Sequence, residues 1–248
     1  MEEGGRDVTQ KDQFYQQIQL VVEPLKDWLI HAEGNMKIVN NQNQWEVLPV
    51  YYHDGEGSPV AMAWFDGYTP GMSRVNQSYW KDNNYSLNLY TDYFKQIGDH
   101  YFKVMGGFNA ELYKRTNLSG QRDELITPDV PTLNTGTTEQ KANGGYSHWA
   151  NAGFFGRINY NYKERYLLEI NGRYDGSSRF IGDKRWGFFP SFSAGWNIAR
   201  EPFMESFAEK INMGSLKLRA SWGQLGNTNT NDAWYPFYQT MPVGSNSV

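Results

Sequence analysis

The chain contains no cysteine, and it has no long apolar run. Without cysteine it forms neither a disulfide nor a thiolate metal site. The longest uninterrupted apolar stretch runs from Val60 to Phe65, whereas a transmembrane helix needs roughly 18 such residues. The sequence therefore predicts neither a disulfide-stapled scaffold nor a helical membrane protein.

An excess of positive charge is also missing. The chain has 23 Lys and Arg against 27 Asp and Glu, for a net charge of -4, so it offers no general attraction for phosphate backbones and nucleic acid is not an expected partner. The first residues, Met1 to Gly5, lack the basic region and apolar core of a signal peptide. We therefore expect either a cytoplasmic chain or the later part of a longer one.

What the chain does have is apolar residues in a two-residue alternation. Apolar residues make up 39% and aromatic residues 16% of the sequence, too many for a disordered chain. Alternation predicts half-buried β-strands, and these are longer than the strands of most soluble proteins. Eight strands are predicted, at residues 13–23, 28–39, 84–94, 101–114, 149–162, 165–175, 186–198 and 216–225.

The connections between the predicted strands alternate between short and long. Residues 24–27, 95–100 and 163–164 fit tight turns, whereas residues 40–83 and 115–148 are predicted as long loops rich in Gly, Asn, Thr and Pro. In an up-and-down sheet, alternate connections emerge at the same end. Short turns at one end and long loops at the other are typical of outer-membrane β-barrels, whose short turns are periplasmic.

Aromatic residues concentrate near the predicted strand ends, as in the aromatic girdles of membrane barrels. Another set, made of Trp80, Tyr85, Trp149, Trp186 and Trp222, lies toward the long loops. The residues near the short turns are Trp28, Phe94, Tyr101, Phe102, Tyr160, Tyr162 and Tyr166.

The link from Arg200 to Ser215 is longer than the other turns, and a short helix after Pro202 is predicted there, at the membrane edge.

Two other architectures fit part of this pattern. A soluble β-sandwich also alternates apolar and polar residues, and as a carbohydrate-binding or hydrolytic domain it is the main alternative. A self-contained eight-stranded barrel is also geometrically allowed. Strand length and the alternation of short and long connections favour part of a larger transmembrane barrel.

No catalytic or metal site is predicted. The histidines His31, His53, His100 and His148 are scattered and form no metal-binding motif; His31 is expected to be a solvated residue on the polar face of its strand. Residues 175–179 contain serines but not the G-x-S-x-G elbow of a nucleophile, and the Asn-rich residues 227–232 lack an EF-hand ligand set. The sequence also lacks nucleotide-binding fingerprints, so neither a cofactor nor an enzymatic activity is expected.

One group of loop aromatics is a candidate for ligand contact. Trp64, Phe65 and Tyr68 lie beside Asp66, and such residues stack on sugar rings and bind hydroxyl groups. The same side chains also suit a small core within the loop. The sequence leaves both interpretations open, and no substrate-binding residue is assigned.

Three stretches in the second half of the chain form a specific set. They are Gly172 to Phe180 (GRYDGSSRF), Arg185 to Trp196 (RWGFFPSFSAGW) and Leu216 to Asn227 (LKLRASWGQLGN), preceded by Phe155 to Tyr162. In this order and spacing they resemble the SusC/RagA family of TonB-linked outer-membrane proteins. Residues 1–148 match that family in general character.

The resemblance implies an all-β fold, an antiparallel up-and-down transmembrane barrel of about 22 strands that holds a plug. Residues 1–248 are then a partial barrel domain with about eight strands, without the plug, the TonB-contacting segment or the closing strand. The implied parent imports glycan fragments or peptides across the outer membrane, with a SusD-like surface lipoprotein as partner and the TonB complex as the source of energy.

In that scheme the two faces of each strand have different surroundings. Leu168, Ile170, Phe192 and Trp196 are expected to face outer-membrane lipid. The opposite set is expected to face the lumen or the plug. The expected lumen-facing residues are Arg157, Glu169, Arg173, Lys217 and Arg219. Because the matching stretches are barrel-architecture motifs, they identify no substrate.

Overall fold

A computed structural model describes residues 4–62, 71–230 and 234–238. Long β-strands dominate these residues, which also contain one short hairpin, three short 3-10 helices and one α-helix, α1, at Pro202–Lys210. In chain order the strands are β1 (Asp7–Leu25), β2 (Trp28–Val47), β3 (Tyr51–His53), β4 (Pro59–Ala61), β5 (Arg74–Ile97), β6 (His100–Leu125), β7 (Gly136–Tyr162), β8 (Tyr166–Ser177), β9 (Trp186–Asn197) and β10 (Lys217–Gly223).

Eight of these strands form one sheet in the order β1-β2-β5-β6-β7-β8-β9-β10. Sheet neighbours follow the chain order, so the topology is up-and-down, with β1 and β10 at the two edges. The pairings of β7 with β8, β8 with β9, and β9 with β10 are antiparallel. The remaining two strands, β3 and β4, pair as a separate small hairpin. All eight predicted strands are therefore present in the predicted order.

The three predicted tight turns are confirmed. Between β1 and β2, Asp27 adopts a positive φ of 69°, and Gly98 does so at 58° between β5 and β6. Lys163 and Glu164, with φ of 52° and 55°, reverse the chain between β7 and β8. Left-handed residues at these positions give two-residue and three-residue loops the twist that a hairpin needs.

The predicted long loops at 40–83 and 115–148 are wrong in extent. β2 continues to Val47 and β5 starts at Arg74, which leaves 48–73 as the connection; β6 continues to Leu125 and β7 starts at Gly136, which leaves 126–135. These extensions carry Asn, Gln, Thr and Gly on both faces, so apolar alternation does not mark them. Backbone hydrogen bonding between neighbouring strands continues where the alternation has ended.

The described residues divide into two compact units that share several of the long strands. The first unit comprises those within Met1–Tyr15, Lys37–Asn84 and Lys114–His148. Its interior contains the buried side chains of Val39, Val47 and Val75. In the same unit the buried Asp123 accepts two hydrogen bonds from Arg74, each of 2.6 Å.

The second unit comprises the described residues within Gln16–Met36, Tyr85–Tyr113 and Trp149–Val248. It contains the tight turns, the strands β8 to β10, and α1 in the link between β9 and β10. Pro202 opens α1, where proline is tolerated because the first helical N–H groups have no intrahelical acceptor. The short helix predicted for this link is confirmed. Among the described residues, no helix has the length and apolar character needed to cross a membrane.

Candidate functional site

The register of β7 to β10 sorts their side chains onto two faces of the second unit. One row runs across the four strands through Ile158, Ile170, Phe192 and Trp222. These four residues are between 41% and 54% exposed, and the rings of Phe192 and Trp222 stack with centroids 5.1 Å apart. We call this side the apolar face. The exposed apolar residues Phe154, Tyr166, Leu168, Tyr174, Phe188 and Leu218 also lie on it.

Three of the four residues predicted to face lipid, Leu168, Ile170 and Phe192, are exposed on the apolar face. The fourth, Trp196, pairs in register with Tyr166 and Leu218 on the same face. It is half-buried, and its indole Nε1 donates a 2.8 Å hydrogen bond to Glu201 at the start of α1.

The opposite side of the same strands, the polar face, carries a hydrogen-bonded network. Arg157 Nε donates to Asn171 Oδ1 at 2.6 Å. The Glu169 carboxylate accepts hydrogen bonds from Asn171 at 2.9 Å and from Asn159 at 2.7 Å. In register, Glu169 pairs with Ser193, which pairs with Ser221. The network orients charged and amide groups on a surface that apolar side chains leave open.

A second group on the polar face centres on Arg173. Its guanidinium donates to both carboxylate oxygens of Asp175, at 3.0 and 2.9 Å. It also donates to Asn109 on β6 at 3.3 Å and lies over the Phe155 ring, 5.6 Å from the centroid. Paired hydrogen bonds fix the plane of a guanidinium, so Arg173 presents a fixed orientation at this surface.

These groups line a concavity of about 1150 Å³ on the polar face, between the described parts of β6 to β10. Lys217 and Arg219 on β10 pair in register with Asn197 and Gly195, which puts both on the same face. The polar side chains predicted to share one face, Arg157, Glu169, Arg173, Lys217 and Arg219, are therefore together in the structure.

Aromatic rings pack at the turn end, as the sequence predicts. Phe102 and Tyr160 have centroids 5.0 Å apart, His100 and Tyr162 are 4.7 Å apart, and His100 Nδ1 lies 2.8 Å from the Tyr160 hydroxyl. The group combines apolar rings with polar tips, a composition that suits the boundary between hydrocarbon and water.

The link that contains α1 is tied to this aromatic group. The buried Glu201 carboxylate accepts hydrogen bonds from the Tyr166 hydroxyl and the Trp196 indole, which hold the pKa of Glu201 below its ordinary value. Arg165 Nη1 lies 3.7 Å from the same carboxylate. Sequence inspection missed this contact because no motif connects Glu201 to an aromatic residue on a neighbouring strand.

The prediction for His31 is wrong. Its side chain is 14% exposed rather than solvated. The imidazole stacks on Tyr90 with centroids 4.3 Å apart and faces Asp92 at 3.5 Å. Lys103 also pairs with Asp92, at 3.2 Å. The aromatic neighbour on β5 covers the ring, and alternation within β2 alone does not reveal it.

The other candidate residues are not brought together. His53 lies in the β3–β4 hairpin, and His148 packs beside Tyr146 on β7 with centroids 5.5 Å apart. Trp64, Phe65, Asp66 and Tyr68 lie outside the described residues, as do positions 231 and 232 of the Asn-rich stretch. Over 4–62, 71–230 and 234–238, no group of three His, Cys, Asp or Glu side chains is placed to hold a metal ion.

An up-and-down antiparallel sheet with one apolar and one polar face is the architecture expected of the wall of a membrane-type β-barrel. The family model described as TonB dependent receptor-like, beta-barrel matches residues 6–247. The chain therefore belongs to the TonB-dependent receptor β-barrel family, whose members are outer-membrane proteins and not enzymes. The fold is therefore neither a β-sandwich nor a self-contained eight-stranded barrel.

Named relatives agree with this membership. The TonB-dependent receptor SusC of Bacteroides thetaiotaomicron is 37% identical over 161 residues, covering 62% of this chain and 15% of the relative. The TonB-dependent receptor P26 of Formosa agariphila is 32% identical over 216 residues, covering 82% and 20% respectively. The chain thus spans a fifth or less of the length of these relatives. The resemblance to the SusC/RagA family is confirmed.

Among solved structures, the RagAB peptide transporter has the same fold over most of the chain. The superposition has a TM-score of 0.75 and covers 88% of this chain and 23% of the other, at 17% sequence identity. The open-open state of the RagAB peptide importer gives the same TM-score of 0.75 at 18% identity. At this identity the likeness concerns the fold alone.

Proposed function

We propose that the chain, as one barrel domain over residues 1–248, forms part of the wall of an outer-membrane transporter. The transporter imports glycan fragments or peptides together with a SusD-like surface lipoprotein and draws its energy from the TonB complex. Family membership and the similarity to SusC support this proposal. The likeness to the RagAB fold is consistent with it.

The observation that carries the proposal is the contrast between the two faces of β7 to β10. The apolar face exposes a continuous row of large side chains, including Ile158, Ile170 and Phe192. In water such a surface is unfavourable by roughly 25 cal/mol per Å², and contact with lipid removes that cost. The polar face, with Glu169 and Arg173, then borders the aqueous lumen.

The proposal also assigns a direction to the strands. A membrane-spanning strand needs about 9–11 residues, whereas β5 has 24, β6 has 26 and β7 has 27. The tight turns and their aromatic group lie at the periplasmic boundary. The opposite, polar ends of the strands then project from the cell surface, where a lipoprotein lid docks.

Growth of the parent organism tests the transport function. We expect deletion of the full-length receptor to abolish growth on one class of oligosaccharide or peptide too large for porins, and plasmid-borne receptor to restore it. A protonophore or loss of TonB should block uptake equally. Unchanged uptake of every such substrate after deletion would contradict the import function.

Purification from the outer membrane tests the partner. The tagged full-length receptor, extracted in mild detergent, should bring with it a lipid-modified protein whose sequence is of the SusD type. As a control, another barrel of the same membrane should not bring that protein. A receptor that is folded, active in uptake and isolated alone would contradict the lipoprotein partnership while leaving the transport function intact.

A further inference from the structure

The link between β9 and β10 contains a stripe of exposed apolar side chains. Phe203, Phe207 and Ile211 are 66%, 51% and 52% exposed. Their spacing of four residues puts them on one side of α1 and its first following residue. The exposed Glu209 falls on the other side of the helix.

The start of α1 is held at the apolar face of the sheet. Glu201 immediately precedes the helix, and its side chain makes no capping hydrogen bond to it. Instead the carboxylate binds Trp196 and Tyr166, whose positions in register lie on the apolar face beside Leu218. Arg200 forms an ion pair with Glu164 in the β7–β8 turn. The helix therefore begins next to the strand surface that the proposed function places against lipid.

We propose that the stripe of Phe203, Phe207 and Ile211 is an interfacial anchor that inserts into the periplasmic phospholipid leaflet of the outer membrane. This inference rests on the proposed function, because it requires the apolar face to contact lipid. An amphipathic helix that lies in the membrane plane buries its apolar side about 5–10 Å into the headgroup boundary.

Phospholipid is the favoured occupant because the stripe continues an apolar surface of the same chain. Leu216 immediately precedes β10 and Leu218 lies within it; both are exposed, and Leu218 belongs to the apolar face. Tyr162, Tyr166 and Trp196 give the junction the aromatic composition of a headgroup boundary. The proposal therefore joins the stripe and the apolar face into one surface against the membrane.

Spin-label accessibility tests the anchor in the full-length receptor. Single cysteines replace Phe207 or Phe203 in the stripe, Glu209 on the other side of the helix, and Ile170 on β8, in a background without other cysteines. Each labelled protein is reconstituted in phosphatidylethanolamine and phosphatidylglycerol vesicles. Collisions with oxygen report lipid and collisions with a nickel chelate report water. We expect an oxygen-to-nickel ratio several-fold higher at positions 207 and 203 than at 209.

Each other outcome overturns the anchor. Equal water accessibility at 207 and 209 places the stripe in the periplasm, and shielding of 207 from both reagents places it against protein. The label at position 170 separates the two levels of inference. Lipid contact at 170 with water at 207 and 203 overturns the anchor alone, whereas water at all three positions also overturns the membrane wall.

Discussion

At the scale of single residues, the apolar face is most sensitive near its centre. Ile170 lies between Ile158 and Phe192 in the cross-strand row. An arginine on a lipid-facing strand position costs roughly 2–4 kcal/mol near the membrane midplane. We expect Ile170→Arg in the full-length receptor to reduce the amount of folded, heat-modifiable barrel in the outer membrane.

The matched control for that variant is Ser193→Arg. Ser193 lies beside Glu169 on the polar face, so an arginine there meets water and a carboxylate. Assembly of this control should remain close to normal. Equal assembly of the two variants would contradict the assignment of the faces.

The carboxyl group of Glu201 makes the stability of the link between β9 and β10 depend on pH. The hydrogen bonds from Tyr166 and Trp196 lower the pKa of its carboxyl group. A lowered folded pKa contributes stability above the ordinary glutamate pKa, and that contribution disappears as the pH falls through the lowered value. We expect proteolysis within the link at 198–216 to remain slow at neutral pH and to increase on acidification through this window.

Glu201→Gln is the control for the pH effect. Glutamine keeps the size of the side chain but carries no charge, so the link should be cleaved faster at neutral pH and with little change across the acidic window. A variant that retains the full pH dependence of the wild-type link would show that another group is responsible.

The polar face was predictable residue by residue, whereas the contacts between elements were not. Arg157, Glu169 and Arg173 share a face because alternation within one strand fixes the direction of each side chain. The burial of His31 depends on Tyr90 of β5, and the binding of Glu201 depends on Tyr166 of β8 as well as on the nearby Trp196. Such pairings follow from register, which a single sequence specifies weakly between distant strands.

At the scale of elements, the long strands need interactions that hold them together beyond the membrane. In the first unit, Arg74 and Asp123 join β5 to β6 through two hydrogen bonds of 2.6 Å, and the Asp123 side chain is 3% exposed. Loss of one partner of a buried ion pair costs roughly 3–5 kcal/mol. We expect Arg74→Gln to accelerate amide hydrogen exchange at the ends of β5 and β6.

The pair formed by Arg115 and Asp82 is a control between the same two strands. Its side chains are 42% and 17% exposed, and an exposed pair contributes about 1 kcal/mol or less. Arg115→Gln should therefore accelerate exchange much less than Arg74→Gln. Equal effects would mean that burial does not determine how strongly these pairs join the strands.

The lengths of the strands were harder to predict than their number. Tight turns such as 26–27 and 98–99 are short and contain Asp or Gly, so their positions follow from the sequence. The parts of β5 to β7 that were predicted as loops lack an apolar side and resemble loops in composition. They are residues 74–83, 115–125 and 136–148. Backbone hydrogen bonds to the neighbouring strand define them, and composition does not reveal those bonds.

At the scale of the whole molecule, the chain has two edges and a large apolar surface. β1 and β10 each have one sheet neighbour among the described strands, and unpaired edges promote association with other chains. We expect residues 1–248, expressed alone without detergent, to aggregate on size-exclusion chromatography. A soluble monomer with cooperative unfolding would contradict the barrel-wall assignment.

A label scan along β8 in the full-length receptor, in outer-membrane vesicles, tests the central claim most directly. Cysteines at 167 to 171 are labelled one at a time, and lipid and water accessibility are measured at each. We expect Leu168 and Ile170 to contact lipid and Leu167, Glu169 and Asn171 to be shielded from lipid, with a period of two. Accessibility without this period, or water at Leu168 and Ile170, would contradict a membrane-spanning wall.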